Sequence, residues 1–147
     1  MIMHIFPKTQ IPTVTAQEKG ETIQYTYKNG RSVPYISHYE KPAVQDARNW
    51  WKTNILETMK TMPGPERKFE GPVRLAIDFC YETKKKKDFC KLKDTKPDLD
   101  NTVKLVQDVL ADLGFFSVGD QQIADLHVRK FWDEIPHIVI DIEEVGF

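Results

Sequence analysis

Residues 73–82 alternate without interruption: Val73, Leu75, Ile77, Phe79 and Tyr81 are separated by Arg74, Ala76, Asp78, Cys80 and Glu82. A period of two held over ten residues predicts a strand with one buried face. Such a strand is stable only beside other strands and beneath a second layer, so the rest of the chain must supply both. Ile123–Trp132 and His137–Val145 predict two further strands, separated by Asp133-Glu134-Ile135-Pro136. Helical spacing of three and four joins Val44, Ala47, Trp51, Ile55, Met59 and Met62, predicting a helix from about Tyr39 to Met62 that ends at Pro63-Gly64-Pro65. A second stripe, Leu99, Val103, Val106, Leu110 and Leu113, predicts a helix from about Asp100 to Leu113, closed by Gly114. Near the N-terminus, Asn29-Gly30 between the β-prone stretches Thr22–Tyr27 and Ser32–Ile36 predicts a hairpin. The order is hairpin, helix, strand, helix, strand, strand. It predicts one α+β domain over residues 1–147, a small mixed sheet packed against two helices, with residues 1–40 as an N-terminal extension.

A chain of 147 residues that is 40% hydrophobic can build such a core, and its net charge of -1 excludes a bulk polycation. No stretch of about 18 apolar residues is present, so no membrane span is expected. Nor does the first segment, MIMHIFPKTQ, read as an export signal, and a cytoplasmic protein is expected. Cys80 and Cys90 match no zinc spacing and are expected to be reduced and inert.

The charge is unevenly spread. Seven lysines (84, 85, 86, 87, 91, 93 and 96) face only Asp88 and Asp94 in the loop before the second helix, and the remainder of the chain is acidic. Alone, such a run reads as a solvated loop. Directly after it stands Lys96-Pro97-Asp98-Leu99-Asp100-Asn101-Thr102-Val103-Lys104. Within a helix, acids spaced i, i+2 point apart, but in an extended entry they share a side. Pro97 favours that entry, placing Asp98 and Asp100 together at the helix start. Hard oxygen donors of this kind suit Mg²⁺ or Mn²⁺, with Lys104 a turn further on as a phosphate contact. Asp120, in the loop before the next strand, is the candidate third carboxylate, provided helix start and strand start meet in space. The plain alternative is a helix cap with a surface ladder, Asp100–Lys104–Asp108. The adjacent lysines tilt the reading toward nucleic-acid cleavage.

Taken together, these residues resemble the RusA family of Holliday junction resolvases. The family pattern is a basic loop, then D-x-D-N-x-x-K-x-x-x-D-x-L, then D-D-x-Q-[IV] at a strand start. Here the second element is Asp98 to Leu110 and the third ends in Asp120-Gln121-Gln122-Ile123. The resemblance is dense from about Val73 to Val145. It implies a RusA-like fold and a homodimeric endonuclease, often encoded by phages or prophages, that makes paired symmetric nicks in four-way junction DNA with Mg²⁺. Carried over by position, Asp98, Asp100 and Asp120 fall on the metal-binding acids, Lys104 on the catalytic lysine, and Lys84, Lys85, Lys86 and Lys87 on the DNA-contacting loop.

Two departures stand out. Gly119 replaces the first of the family's two adjacent acids, and the N-terminal hairpin looks like an addition to a compact minimum. His127 and His137 read as ordinary surface or interface histidines, and the three tryptophans as core or dimer anchors. Arg129 and Lys130 read equally as phosphate contacts or as solvated charges, and Asp125 as a spare acid. Two rival functions remain open: a junction-binding module with weakened catalysis, for which Gly119 is the symptom, and a metal-dependent phosphatase acting on small esters, which needs no extended cationic surface.

Overall fold

A computed structural model describes residues 1–14, 19–64 and 68–146. In chain order it contains β1 (Ile2–Ile5), β2 (Lys19–Lys28), β3 (Arg31–Glu40), α1 (Pro42–Lys60), β4 (Val73–Glu82), α2 (Leu99–Asp112), β5 (Ile123–Asp133) and β6 (His137–Glu144). Short 3₁₀ turns occupy Lys86–Asp88 and Asp120–Gln122. The α+β architecture is therefore present, as a mixed four-stranded sheet in the order β1-β6-β4-β5 and a separate two-stranded sheet.

The alternating strand β4 takes the central place. It pairs antiparallel with β6 and parallel with β5, the parallel partner being reached through α2. Val73, Leu75, Ile77, Phe79 and Tyr81 are buried, as their spacing requires. Val44, Ala47, Trp51 and Ile55 of α1 and Val103, Val106 and Leu110 of α2 join them in one core. The Trp51 ring stands edge-on to Phe79 at 5.8 Å. On α2 the buried stripe is wider than predicted, because Thr102, Leu105 and Val109 are also enclosed. A crossover helix that meets both the sheet and a neighbouring helix needs more than one row of contacts.

Two expectations change, and the strand order is settled. First, β1 was not foreseen: four residues carry too little pattern to be read alone, yet Met3 and Ile5 are buried and the strand pairs with β6 from Ile2↔Asp141 to Ile5↔Ile138. Residues 1–40 are thus not wholly an extension. Second, the hairpin is longer than predicted, and β3 pairs through Tyr39 and Glu40, so α1 starts at Pro42 rather than about Tyr39. Asn29 and Gly30 both adopt positive φ, 51° and 73°, the geometry of the tight turn this dipeptide favours. The strand order, left open by the sequence, keeps β5 and β6 apart. Residues 134–136 step across the end of β4, leaving the two strands on either side of it. Pro65, one of the predicted helix terminators, lies outside the described residues.

Candidate metal and nucleic-acid site

The segment between β4 and α2 lies along the outer edge of β5. Cys90 N–H donates to Trp132 O at 2.8 Å, Trp132 N–H to Lys91 O at 2.9 Å and Lys93 N–H to Lys130 O at 2.9 Å. This path delivers the chain to the start of α2, where the peptide before Pro97 is cis. Lys130 anchors the delivery: its Nζ donates to Pro97 O at 2.7 Å and also to Thr95 O. Lys93 is 8% exposed, lies 4.0 Å over the Trp132 ring and donates to Thr95 Oγ1 at 2.5 Å. Two lysines that read as charge in the sequence therefore hold the loop together.

Asp98 stands at the N-cap of α2 in extended backbone, φ -66° and ψ 126°, but Asp100 lies within the first helical turn, so the two acids do not share one extended entry as the spacing suggested. Its backbone carbonyl accepts from Thr102 N–H at 3.0 Å and from Thr102 Oγ1 at 2.9 Å. The carboxylate caps nothing, and instead accepts from Lys96 Nζ at 2.8 Å. That hydrogen bond, the Lys96 charge and the field of Lys130 hold Asp98 below the usual carboxylate range. Asp100 also acts on Lys96, whose own pKa is raised chiefly by the Asp98 bond. Asp98 and Asp100, two hard oxygen donors two residues apart at the start of α2, fit a divalent cation held by two acids with water and phosphate completing the shell.

Asp120 does not join them. The crossover β4–α2–β5 makes α2 run antiparallel to both strands, so its end, not its start, meets the beginning of β5. Phe69, four residues ahead of β4, donates to Phe115 O at 2.8 Å and accepts from Ser117 N–H at 3.0 Å. Asp120 opens the 3₁₀ turn next to this point. Asp98 and Asp100 lie at the opposite end of α2, a helix length of roughly 20 Å away. One chain therefore does not form the three-carboxylate cage that spacing suggested.

Gln122, read from the sequence only as a marker of register, is the latch of the Asp120 loop. Its Oε1 accepts from Val118 N–H at 2.6 Å and Ser117 Oγ at 3.2 Å, while Nε2 donates to Phe69 O and Gly71 O, both at 3.0 Å. An amide is the one side chain that can accept and donate in this way.

The remaining candidates separate cleanly. Lys84, Lys85, Lys86 and Lys87 are exposed and form no ion pair among the described residues. They leave β4 at the same sheet edge as the start of α2. Lys104 is exposed one turn beyond Asp100. Asp108 turns away from the proposed ladder and pairs with Arg48 at 3.5 Å. Arg129 is bound by Asp78 through two 2.8 Å hydrogen bonds, and Asp125 is held by Arg74 at 2.9 Å and His127 at 2.8 Å. These side chains line the sheet face away from the helices and are not at the Asp98–Asp100 pair.

Comparison with known proteins places the chain in a family. A family model described as endodeoxyribonuclease RusA matches residues 17–143, a span that takes in the hairpin. A protein of Lactococcus phage r1t, crossover junction endodeoxyribonuclease rusA, is 37% identical over 89 residues, covering 60% of this chain and 67% of that protein. The uncharacterized protein YqaN of Bacillus subtilis (strain 168) is 46% identical over 52 residues, 35% of each chain. The chain belongs to the RusA family of endodeoxyribonucleases.

Proposed function

We propose that this protein resolves four-way DNA junctions by divalent-metal-dependent hydrolysis of phosphodiester bonds, cutting paired strands as a homodimer. The observation that carries the reading is the juxtaposition of Asp98 and Asp100 with four exposed lysines at one edge of the sheet. Lys84–Lys87 bind backbone phosphates and bring the duplex arm to the start of α2. Asp98 and Asp100 hold Mg²⁺, or Mn²⁺ in its place, displacing the Lys96 ammonium. When bound, the ion supplies an activated water and stabilises the leaving 3′-oxygen, so the products are a 3′-hydroxyl and a 5′-phosphate. Lys104 offsets negative charge growing on phosphorus. Lys130 fixes the backbone of residues 95–97 and so positions Asp98.

A homodimer suits a two-fold symmetric junction, which needs two equivalent sites. It also offers a place for Asp120, since a second copy can bring its Asp120 to the pair that one chain keeps a helix length away. The setting is recombination and repair of phage or prophage DNA in the cytoplasm. A labelled four-way junction and a matched linear duplex, each with Mg²⁺ or EDTA, test the reading. Paired nicks in the junction alone, absent with EDTA, are expected. Gly119, which lacks the family's extra carboxylate, favours a second reading as a junction-binding module with weakened catalysis; a shifted but uncut junction in Mg²⁺ marks that outcome.

A further inference from the structure

Where residues 134–136 step over the end of β4, three donors of different chemistry meet. The Cys80 thiol, a carboxylate oxygen of Asp133 and a ring nitrogen of His137 all lie within 4.8 Å of one another. Three strands bring them there: Cys80 is opposite His137 across the β4–β6 pair, and Asp133 is opposite Glu82 across the β4–β5 pair. His137 Nδ1 lies 2.8 Å from Ile135 O, a contact it makes only as a donor. In the neutral ring that tautomer leaves Nε2, 4.0 Å from Asp133 Oδ2, as the atom able to bind a metal. A backbone carbonyl on one ring nitrogen with the other left open is how metal-binding histidines are held. Phe6 stacks on the ring at 5.7 Å and fixes its plane.

Cys90, outside this group of donors, turns the lysine loop with φ 63°, and its N–H donates to Trp132 O, one residue before Asp133. Thiolate, imidazole and carboxylate together are the donor set of Zn²⁺ rather than of Mg²⁺. Sequence spacing could not reveal it, because strand pairing gathers the donors.

We propose that Cys80, Asp133 and His137 bind one Zn²⁺ per chain, with water completing the shell. The Cys80 thiol proton passes to solvent on binding. The ion ties the end of β5 and the start of β6 to β4, separately from the Asp98–Asp100 pair. To test this, the reduced chain is loaded with Zn²⁺, passed through gel filtration and assayed by release to a chromogenic chelator; a Co²⁺-loaded sample is read by absorption. One Zn²⁺ per chain and a thiolate-to-cobalt charge-transfer band are expected, both lost in C80S and H137A and both kept in C90S. Less than a tenth of an equivalent retained, no thiolate band, or unchanged affinity in C80S or H137A overturns the proposal. Should C80S fail to fold by circular dichroism, the cobalt spectrum of the unaltered protein and the H137A affinity decide the matter without it.

Discussion

Gly119 carries more than the loss of a charge. Its backbone, φ 143° and ψ -174°, lies in a region that only glycine occupies without strain. Restoring the family's acid with G119D is therefore expected to cost about 1–3 kcal/mol, read as a lower urea midpoint at unchanged m-value. Asp98 makes the opposite case, of a residue whose chemistry is set by a neighbour. Lys96 holds its pKa down, so Asp98 stays ionised below the ordinary carboxylate range. The sign follows directly: the Lys96–Asp98 attraction favours the fold above the ordinary carboxylate pKa and fades as pH falls through the lowered one. By carbon-detected NMR titration, K96A is expected to raise the Asp98 midpoint, and an unmoved midpoint would refute the pairing. D100N is expected to slow nicking by more than about 100-fold while junction binding survives.

At the scale of elements, two amide or ammonium groups set where the acids stand. Lys130 reaches from β5 to the carbonyls of Thr95 and Pro97, and Gln122 ties the Asp120 loop to Phe69 and Gly71. Neither role was legible in the sequence, since each depends on a strand or loop distant along the chain. K130A is expected to lower the nicking rate about 10- to 100-fold through misplacement of Asp98. Junction affinity should change little, because Lys130 already spends its donors inside the protein. A gel-shift titration beside the nicking assay separates the two effects; equal losses in both would make Lys130 a DNA contact instead.

For the whole molecule the decisive fact is direction. A helix joining two parallel strands runs against them, so Asp98 and Asp120 end on opposite edges of the sheet. A dimer in which Asp120 acts across the two-fold predicts that mixing D100N and D120N chains restores one intact site in two. Nicks in single strands should then return, although each variant alone is inactive. A site complete within each chain predicts no rescue. The four exposed lysines act at the same scale: replacing all of them with alanine should flatten the salt dependence of junction binding, each lost phosphate contact removing about 0.9 from the slope.

What the sequence determined by itself is local and periodic. Alternation in Val73–Glu82, the stripes of α1 and α2 and the Asn29-Gly30 turn follow from side-chain patterning and backbone sterics within a few residues. The D-x-D-N motif with its lysine and the later Asp-Gln-Gln-Ile were legible for the same reason. Tertiary structure alone decided that β1 joins the sheet, that β5 and β6 flank β4, and that Lys93 and Lys130 serve the loop rather than solvent. It likewise decided that Asp120 lies a helix length from Asp98, while Cys80, Asp133 and His137 meet. Strand order and helix direction arise from contacts between residues far apart in the chain, and no local pattern encodes them.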